Sequence, residues 1–148
     1  MKKFSFSLQA VLDLKRHREE ALLEELAKRT RAVAAAEERL QELRRERRRA
    51  ERELRQLLRG RLEVGQVRVA QDYLLGLDGR IEGQSQEVHR RREEVEACRG
   101  QVVAARQERK TFEKLRERQW EAYQKEYHRQ EQSFLDELAT QGYARQER

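Results

Sequence analysis

Apolar residues recur in alternating steps of four and three over the first part of the chain. This first seam comprises Leu8, Leu12, Lys15, Glu19, Leu22, Leu26, Arg29, Val33, Ala36, Leu40, Leu43, Arg47, Ala50, Leu54 and Leu57. Most of these positions are apolar and the residues between them are polar. A stripe this narrow is typical of a coiled-coil helix and narrower than the buried face of a helix in a globular domain. We therefore expect a first helix over about residues 7–58.

The same period returns after a break that contains Gly60 and Gly65. The second seam comprises Leu74, Leu77, Ile81, Gln84, Val88, Arg91, Val95, Cys98, Val102, Ala105, Arg109 and Phe112. Glycine lowers helix propensity, so the break predicts a turn at about residues 59–67. A second helix is expected over about residues 68–139, because Gly142 offers a stop, and a flexible tail over 140–148, all within a single domain, 1–148.

Two such helices in one chain predict an all-α fold, a long antiparallel two-helix coiled-coil hairpin. One plausible register places Leu57 opposite Leu74, Leu43 opposite Val88 and Ala36 opposite Val95; a register displaced by one heptad is nearly as good. The arms are unequal in either case, because the helical pattern of the second arm continues well beyond the start of the first. A parallel dimer of extended chains is the competing arrangement.

The overhanging part of the second arm carries most of the aromatic residues. Phe112, Tyr123 and Phe134 are spaced by eleven, so the heptad period gives way there to an 11-residue period. One interpretation is that Phe4 and Phe6 fold over Trp120 and Tyr123 as a small core at this end. The remaining apolar residues of the overhang, Tyr127, Phe134 and Leu138, form an exposed stripe, and such stripes usually mark an interface.

Composition excludes a compact globule. Of the 148 residues, 42% are charged and only 36% are hydrophobic, and proline is absent. Periodic apolar residues and strong helix formers also argue against disorder. No stretch approaches the roughly 20 apolar residues that span a bilayer, and no targeting signal is recognisable. The one cysteine, Cys98, lies at a seam position, where we expect it to be buried.

The net charge is +6, and arginines crowd the end of the first arm. They are Arg44, Arg45, Arg47, Arg48, Arg49, Arg52, Arg55, Arg59 and Arg61. A solvated helix face explains them most simply; an acidic protein partner comes next and nucleic acid last, because the run contains glutamates and no aromatic residue for base stacking. An amphipathic helix embedded in a membrane is disfavoured, because the seam is committed to the partner helix.

Nothing in the sequence indicates catalysis. His17, His89 and His128 are too scattered to form a metal site, and no serine or cysteine has a base beside it. The glycines form no phosphate-binding loop. We expect no enzymatic activity, no cofactor and no small-molecule substrate.

The two ends of the chain resemble the flagellar FliJ family. At the start the resemblance lies in Phe4-Ser-Phe-Ser-Leu8, followed by Val11-Leu12, Leu14, Arg18 and Glu19. At the end it lies in Phe112-Glu-Lys-Leu-Arg-Glu-Arg118, Tyr123, Glu126, Glu131-Gln132 and Leu135-Asp-Glu-Leu-Ala139. The arm layout is also similar over nearly the whole chain.

This resemblance implies a component of the flagellar type III protein export apparatus, similar in fold to the central stalk subunit of rotary ATPases. Its implied partners are the hexameric export ATPase, the cytoplasmic domain of the export gate and export chaperones. Its implied location is the cytoplasm, at the inner membrane beneath the flagellum. The implied ATPase contacts are Phe4, Phe6, Leu8, Trp120, Tyr123, Tyr127, Phe134 and Leu138; the implied gate contacts are Leu43, Tyr73 and Leu77.

Overall fold

A computed structural model describes residues 2–147, most of which form two long α-helices. Helix α1 spans Gln9–Arg59 and has 51 residues, whereas α2 spans Val64–Gln146 and has 83 residues. No strand occurs within this part of the chain. The predicted single domain also included Met1 and Arg148, which lie outside the described residues. The predicted inequality of the two arms is therefore present in the helix lengths.

The chain forms two compact units, each containing part of both helices. The terminal unit comprises the residues up to Glu20 together with those from Val103 onward, and the turn unit comprises Ala21–Val102. Within the turn unit, Arg47 bonds Asp78 at 2.5 Å, and the Gln84 amide donates to the Ala36 carbonyl at 3.0 Å. In these pairs, the residue number rises along one helix as it falls along the other, so the two helices run antiparallel.

The terminal unit has the same antiparallel arrangement. The Lys15 ammonium donates to the Glu108 carboxylate at 3.0 Å, and the Arg116 guanidinium donates to the Gln9 side chain at 3.1 Å. The predicted all-α antiparallel hairpin is confirmed by these pairs and those of the turn unit.

Both helices bury the seams that the heptad period predicts. Every seam position of either rhythm is buried or half-buried. In the turn unit, Ala36, Leu40 and Val88 form one buried cluster, while Leu43, Ala50 and Leu77 form a second, with Ile81 packed against both. Cys98 is buried as predicted, with its sulfur 3.8 Å from the Leu22 carbonyl oxygen. Burial of this stripe, more than helix propensity, holds such long helices together.

The register differs from the first of the two considered above by one heptad. Ala36 packs with Val88, seven residues earlier than Val95, and Leu43 packs in the cluster of Leu77 and Ile81. The cause is a shorter turn. Only residues 60–63 separate the helices, because α2 already begins at Val64. The predicted turn at 59–67 was therefore too long.

The outer helix ends also differ from the prediction. Helix α1 begins at Gln9, two residues later than expected, where the Gln9 amide donates to the Phe6 carbonyl. Helix α2 continues to Gln146, so the predicted tail at 140–148 is helical over most of its length. Gly142 was expected to end the helix. A single glycine costs only about 1 kcal/mol relative to alanine, and no proline follows it.

Candidate protein-docking site

A small aromatic core closes the end of the terminal unit. The Phe4 ring lies 5.0 Å from the Trp120 ring in an edge-on geometry and 5.5 Å from the Tyr123 ring, measured between centroids. Trp120 and Tyr123 stack at 5.7 Å. The Tyr123 hydroxyl donates to the Lys2 carbonyl at 2.8 Å, which fixes the segment before α1 against α2. The interpretation that Phe4 covers Trp120 and Tyr123 is thus confirmed.

The predicted ATPase contacts before α1 differ in how much surface they offer. Phe6 is 7% exposed, and it belongs to the core of the terminal unit together with the fully buried Leu12. Phe4 and Leu8 are half-buried. The Arg116 guanidinium also lies over the Phe4 ring, 5.7 Å from its centroid. These residues therefore support the end of α2 more than they offer binding surface of their own.

Beyond Tyr123, helix α2 has no packing partner among the described residues. Over residues 124–146, the hydrogen bonds and ion pairs between described residues are local to α2. This stretch is on the order of 35 Å long at 1.5 Å per residue. Almost every side chain in it is exposed. It is a single helix standing free of the rest of the terminal unit.

One face of this helix is apolar. Trp120, Tyr123, Tyr127, Phe134 and Leu138 fall within an arc of about 60° at 3.6 residues per turn, and we call them the aromatic stripe. The exposed fractions are 40% for Trp120, 44% for Tyr127, 60% for Phe134 and 49% for Leu138.

The aromatic stripe lies on the face that packs against α1 earlier in the same unit. Ala105 is 3% exposed, and Phe112 is half-buried, on this continuous face of α2. The stripe is thus a seam that continues past the point where its partner helix ends. Chemically, it can bury aromatic and aliphatic surface against an apolar cleft or another helix.

A charged layer interrupts the seam of the terminal unit. Glu19 is only 8% exposed; it accepts hydrogen bonds from Arg109 and, at 3.3 Å, from Arg106. The bond from Arg109 is the main reason that the pKa of Glu19 lies below its ordinary value, and partial burial opposes the shift. Arg109 also donates to Glu113 at 2.8 Å. The layer joins the two helices three turns of α2 before the aromatic end core, since Arg109 precedes Trp120 by eleven residues.

We expect Glu19→Gln to lower the melting temperature at pH 7 and to have a smaller effect near pH 3. The folded-state pKa of Glu19 is depressed, so its stabilisation is fully present above the unfolded-state pKa and is lost as pH falls through the folded-state value. Thermal melts followed by circular dichroism at both pH values measure the difference. Glu20→Gln, at an exposed neighbour, is the matched control. A melting temperature that is equal to the wild-type value at pH 7 would contradict the expectation.

The predicted gate contacts do not share a surface. Leu43 is 3% exposed and Leu77 is 1% exposed, and both lie in one core cluster of the turn unit. Neither side chain can touch a partner while the helices remain packed, so the expectation that Leu43 and Leu77 lie on a binding surface is wrong. Tyr73 is 43% exposed, and its hydroxyl donates to the Glu46 carboxylate, which raises the pKa of Tyr73.

Two features of these surfaces were absent from the sequence interpretation. Tyr143 is 68% exposed and belongs to α2, but the expected stop at Gly142 had placed it in a tail. Glu46 was counted only as a charge neighbouring the arginines, whereas it holds the Tyr73 hydroxyl. The absence of proline near the end of the chain was the signal that could have extended the helix.

Neither metal ligands nor a membrane span is found in the part of the chain that the structure describes. His17, His89 and His128 are exposed, and each faces a glutamate on its own helix. No three His, Cys, Asp or Glu side chains converge there as ligands would. Neither helix contains a stretch that is long and apolar enough to cross a membrane.

Comparison with known proteins places the chain in a family. The family described as Flagellar FliJ protein matches residues 4–148. No curated protein matches the chain. Among solved structures, it is similar to a YscO homolog from Chlamydia trachomatis, with a TM-score of 0.57 and 20% identity over 93% of this chain and 94% of that chain. At this identity the structural likeness concerns the fold alone. The family match covers almost the whole sequence, and the chain therefore belongs to the FliJ family of type III export-associated proteins.

Proposed function

We propose that this protein is a non-enzymatic, stalk-like adaptor of the flagellar type III export apparatus. The end that carries the aromatic stripe inserts into the ring of the hexameric export ATPase and promotes its assembly or activity. The protein also couples the ATPase to the cytoplasmic domain of the export gate and binds export chaperones. The observation that carries this proposal is the part of the aromatic stripe beyond Tyr123, a helix face that continues the seam but has no partner among the described residues.

Exposure of this stripe to water is unfavourable. Phe134 and Leu138 are about half exposed and make no contribution to the aromatic end core. Burying such side chains stabilises a complex by about 1.5–3 kcal/mol each when water is fully excluded. A free helix with one apolar face is also narrow enough to enter a cavity that a whole hairpin would not fit.

The aromatic end core supports this role mechanically. Phe4 packs with Trp120 and Tyr123 next to the N-terminal end of α1. The free part of α2 therefore starts from a fixed base. A rigid base lowers the entropy lost when the stripe binds, because fewer backbone angles remain to be ordered. The stripe is therefore suited to insertion as a preformed helix.

Gate coupling is proposed through Tyr73, since Leu43 and Leu77 are buried. The Tyr73 ring is exposed while its hydroxyl is held by Glu46, which leaves the ring face oriented for a partner. Aromatic side chains that are held in one conformation are effective interface anchors. Membership of the FliJ family supports the proposal of chaperone binding, which is assigned to no particular residues.

Truncation after Gln124 tests the proposal. This cut preserves Phe4, Trp120 and Tyr123, so the antiparallel helices should remain folded with a wild-type unfolding transition. It removes Tyr127, Phe134 and Leu138, and we expect it to abolish stimulation of the export ATPase. Hexamer assembly and the rate of ATP hydrolysis are measured with full-length and truncated protein. Equal stimulation by the two proteins would overturn the proposal.

A further inference from the structure

The net positive charge of the chain is confined to one short segment. Residues 44–61 contain nine arginines and three glutamates, a net charge of 9 − 3 = +6, which equals that of the whole chain. The other 130 residues (148 − 18) are therefore neutral overall. All nine cations of this segment are arginine and none is lysine. Guanidinium groups bind phosphate oxygens through paired hydrogen bonds that an ammonium group cannot form.

Six of these arginines lie along one face of α1 in the turn unit. This arginine ridge comprises Arg45, Arg48, Arg49, Arg52, Arg55 and Arg59, all exposed. The ridge is on the order of 20 Å long, and it lies on the side of α1 opposite to the seam residues Leu43 and Ala50. Its first four members surround a shallow depression of about 290 Å³.

Most of the ridge has no counter-charge within the protein. Arg55 pairs with Glu51 at 3.6 Å. Among the described residues, the other five have no carboxylate within 4.0 Å, whereas Arg47, a seam position on the side of α1 that faces α2, pairs with both Asp78 and Glu51. Like charges three or four residues apart on a helix repel one another, so an external polyanion that binds the ridge also relieves this repulsion.

Exposed aliphatic side chains lie next to the ridge at the turn. Leu58 is 51% exposed, Leu62 is 62% exposed and Val64 is 80% exposed. No aromatic residue accompanies them in the turn. We call these three residues the apolar tip. A polybasic stretch beside exposed aliphatic groups combines the two signals that hold peripheral proteins at anionic membranes.

We propose that the arginine ridge and the apolar tip dock this protein directly on a bilayer that contains anionic phospholipids. The ridge faces the phosphate headgroups and the tip enters the headgroup layer. This contact uses the face of α1 that is turned away from α2, so the helices need not separate. It goes beyond the proposed adaptor role and does not depend on it.

The shape of the ridge favours a flat anionic surface over nucleic acid. A convex helix touches a plane along a line, and the ridge is such a line, with Glu42, Glu46 and Glu53 on its flank. A nucleic-acid groove would surround the helix and place phosphates against these glutamates. The apolar tip also offers aliphatic groups in place of the aromatic rings on which bases stack.

Flotation with lipid vesicles tests the proposal on the full-length chain. We expect binding to phosphatidylcholine vesicles that contain roughly 30% phosphatidylglycerol at about 50 mM NaCl, and loss of most of it near 500 mM NaCl, where charges are strongly screened. Pure phosphatidylcholine vesicles should bind much less. Equal binding to the two vesicle types would overturn the proposal. So would full displacement by inorganic phosphate at equal ionic strength, since that indicates a site for a single phosphate.

Matched variants assign the binding to the ridge. The quadruple variant R45Q/R48Q/R49Q/R52Q should bind anionic vesicles at least tenfold more weakly, because each arginine near such a surface strengthens binding about fivefold. The control K28Q/R31Q/K110Q/K114Q removes the same charge from other exposed positions. Circular dichroism verifies the helices, and equal losses in the two variants would overturn the proposal. Tighter binding to a 20-base-pair DNA duplex than to the vesicles, at the same salt, would also overturn it.

The apolar tip provides a second measurement that does not rely on charge. Leu62→Ser should weaken binding to anionic vesicles several-fold at about 150 mM NaCl, where insertion contributes more relative to the screened ridge. Leu75→Ser, at an equally exposed leucine on α2, is the control. If Leu62→Ser and its control bind alike, the tip does not enter the bilayer and this part of the proposal is wrong.

Discussion

Replacing Phe134 and Leu138 together by alanine is expected to weaken binding to the export ATPase about 100-fold. Both side chains lie on the aromatic stripe and are 60% and 49% exposed, so their truncation leaves no cavity in the protein. Their contribution appears only when a partner excludes water from them. Anchors of this kind each contribute about 1–3 kcal/mol to a complex. Both side chains are already partly covered, so we take about 1.4 kcal/mol for each, and the two together correspond to roughly two powers of ten.

The measurement is a titration of ATPase stimulation with wild-type and variant protein. The unfolding transition should be unchanged within about 0.5 kcal/mol, as for other exposed positions. Leu14→Ala with Val103→Ala is the matched control, since both residues are exposed aliphatics of the terminal unit that lie off the stripe. If the control variant loses as much stimulation as the stripe variant, the stripe is not the binding surface.

The seam could be predicted from the sequence because the period of the apolar residues follows from the geometry of the helix. A residue every 3.5 positions stays on one face of a slightly underwound helix, so the pattern identifies which side chains are buried. This holds even for Glu19 and Lys15, which are charged but lie in the seam and pair with arginine or glutamate across it.

The register could not be fixed in the same way. A displacement by one heptad restores the same pattern of apolar and polar positions, so the seam alone leaves the two registers nearly equal in energy. The length of the turn decides between them. Gly65 suggested a longer turn, but it lies within the first turn of α2, where nothing approaches within 4 Å of the position a Cβ would take.

The parts of the candidate site that depend on the spacing of residues along one helix could be predicted. The parts that depend on hydrogen bonds and ion pairs between the two helices could not. Trp120, Tyr127 and Phe134 are spaced by seven residues, so a helix places them on one face. The bond between Tyr73 and Glu46 joins residues 27 positions apart, and it depends on the register. Among the described residues, five of the six ridge arginines have no carboxylate within 4.0 Å, and this too depends on the positions of residues on both helices.

Leu43 and Leu77 illustrate a conflict between two kinds of inference. Their seam positions predicted burial, whereas the family resemblance suggested a surface that binds the export gate. The structure gives Leu77 an exposed fraction of 1%, which agrees with the period of the sequence. A position assigned by resemblance locates a region of the chain, but the heptad determines which of its side chains reach solvent.

We expect Leu77→Ala to lower the free energy of unfolding by about 2–5 kcal/mol, the usual cost of removing a fully buried leucine. Leu77 is packed with Leu43 and Ala50, and Ala50 is too small to fill the cavity. Urea denaturation followed by circular dichroism measures the change. Leu75→Ala is the control, because Leu75 is 69% exposed on the same helix and its truncation should cost less than about 0.5 kcal/mol.

The same variant separates a core role of Leu77 from a direct role in gate binding. Since the side chain is buried, Leu77→Ala can weaken binding to the gate only by loosening the helices, so its binding should recover in a stabilising osmolyte. Tyr73→Ala removes an exposed ring, and we expect it to weaken gate binding with little loss of stability. If Leu77→Ala weakened binding while its unfolding free energy stayed at the wild-type value, Leu77 would have to reach the partner directly. Such a result would require the two helices to separate in the complex.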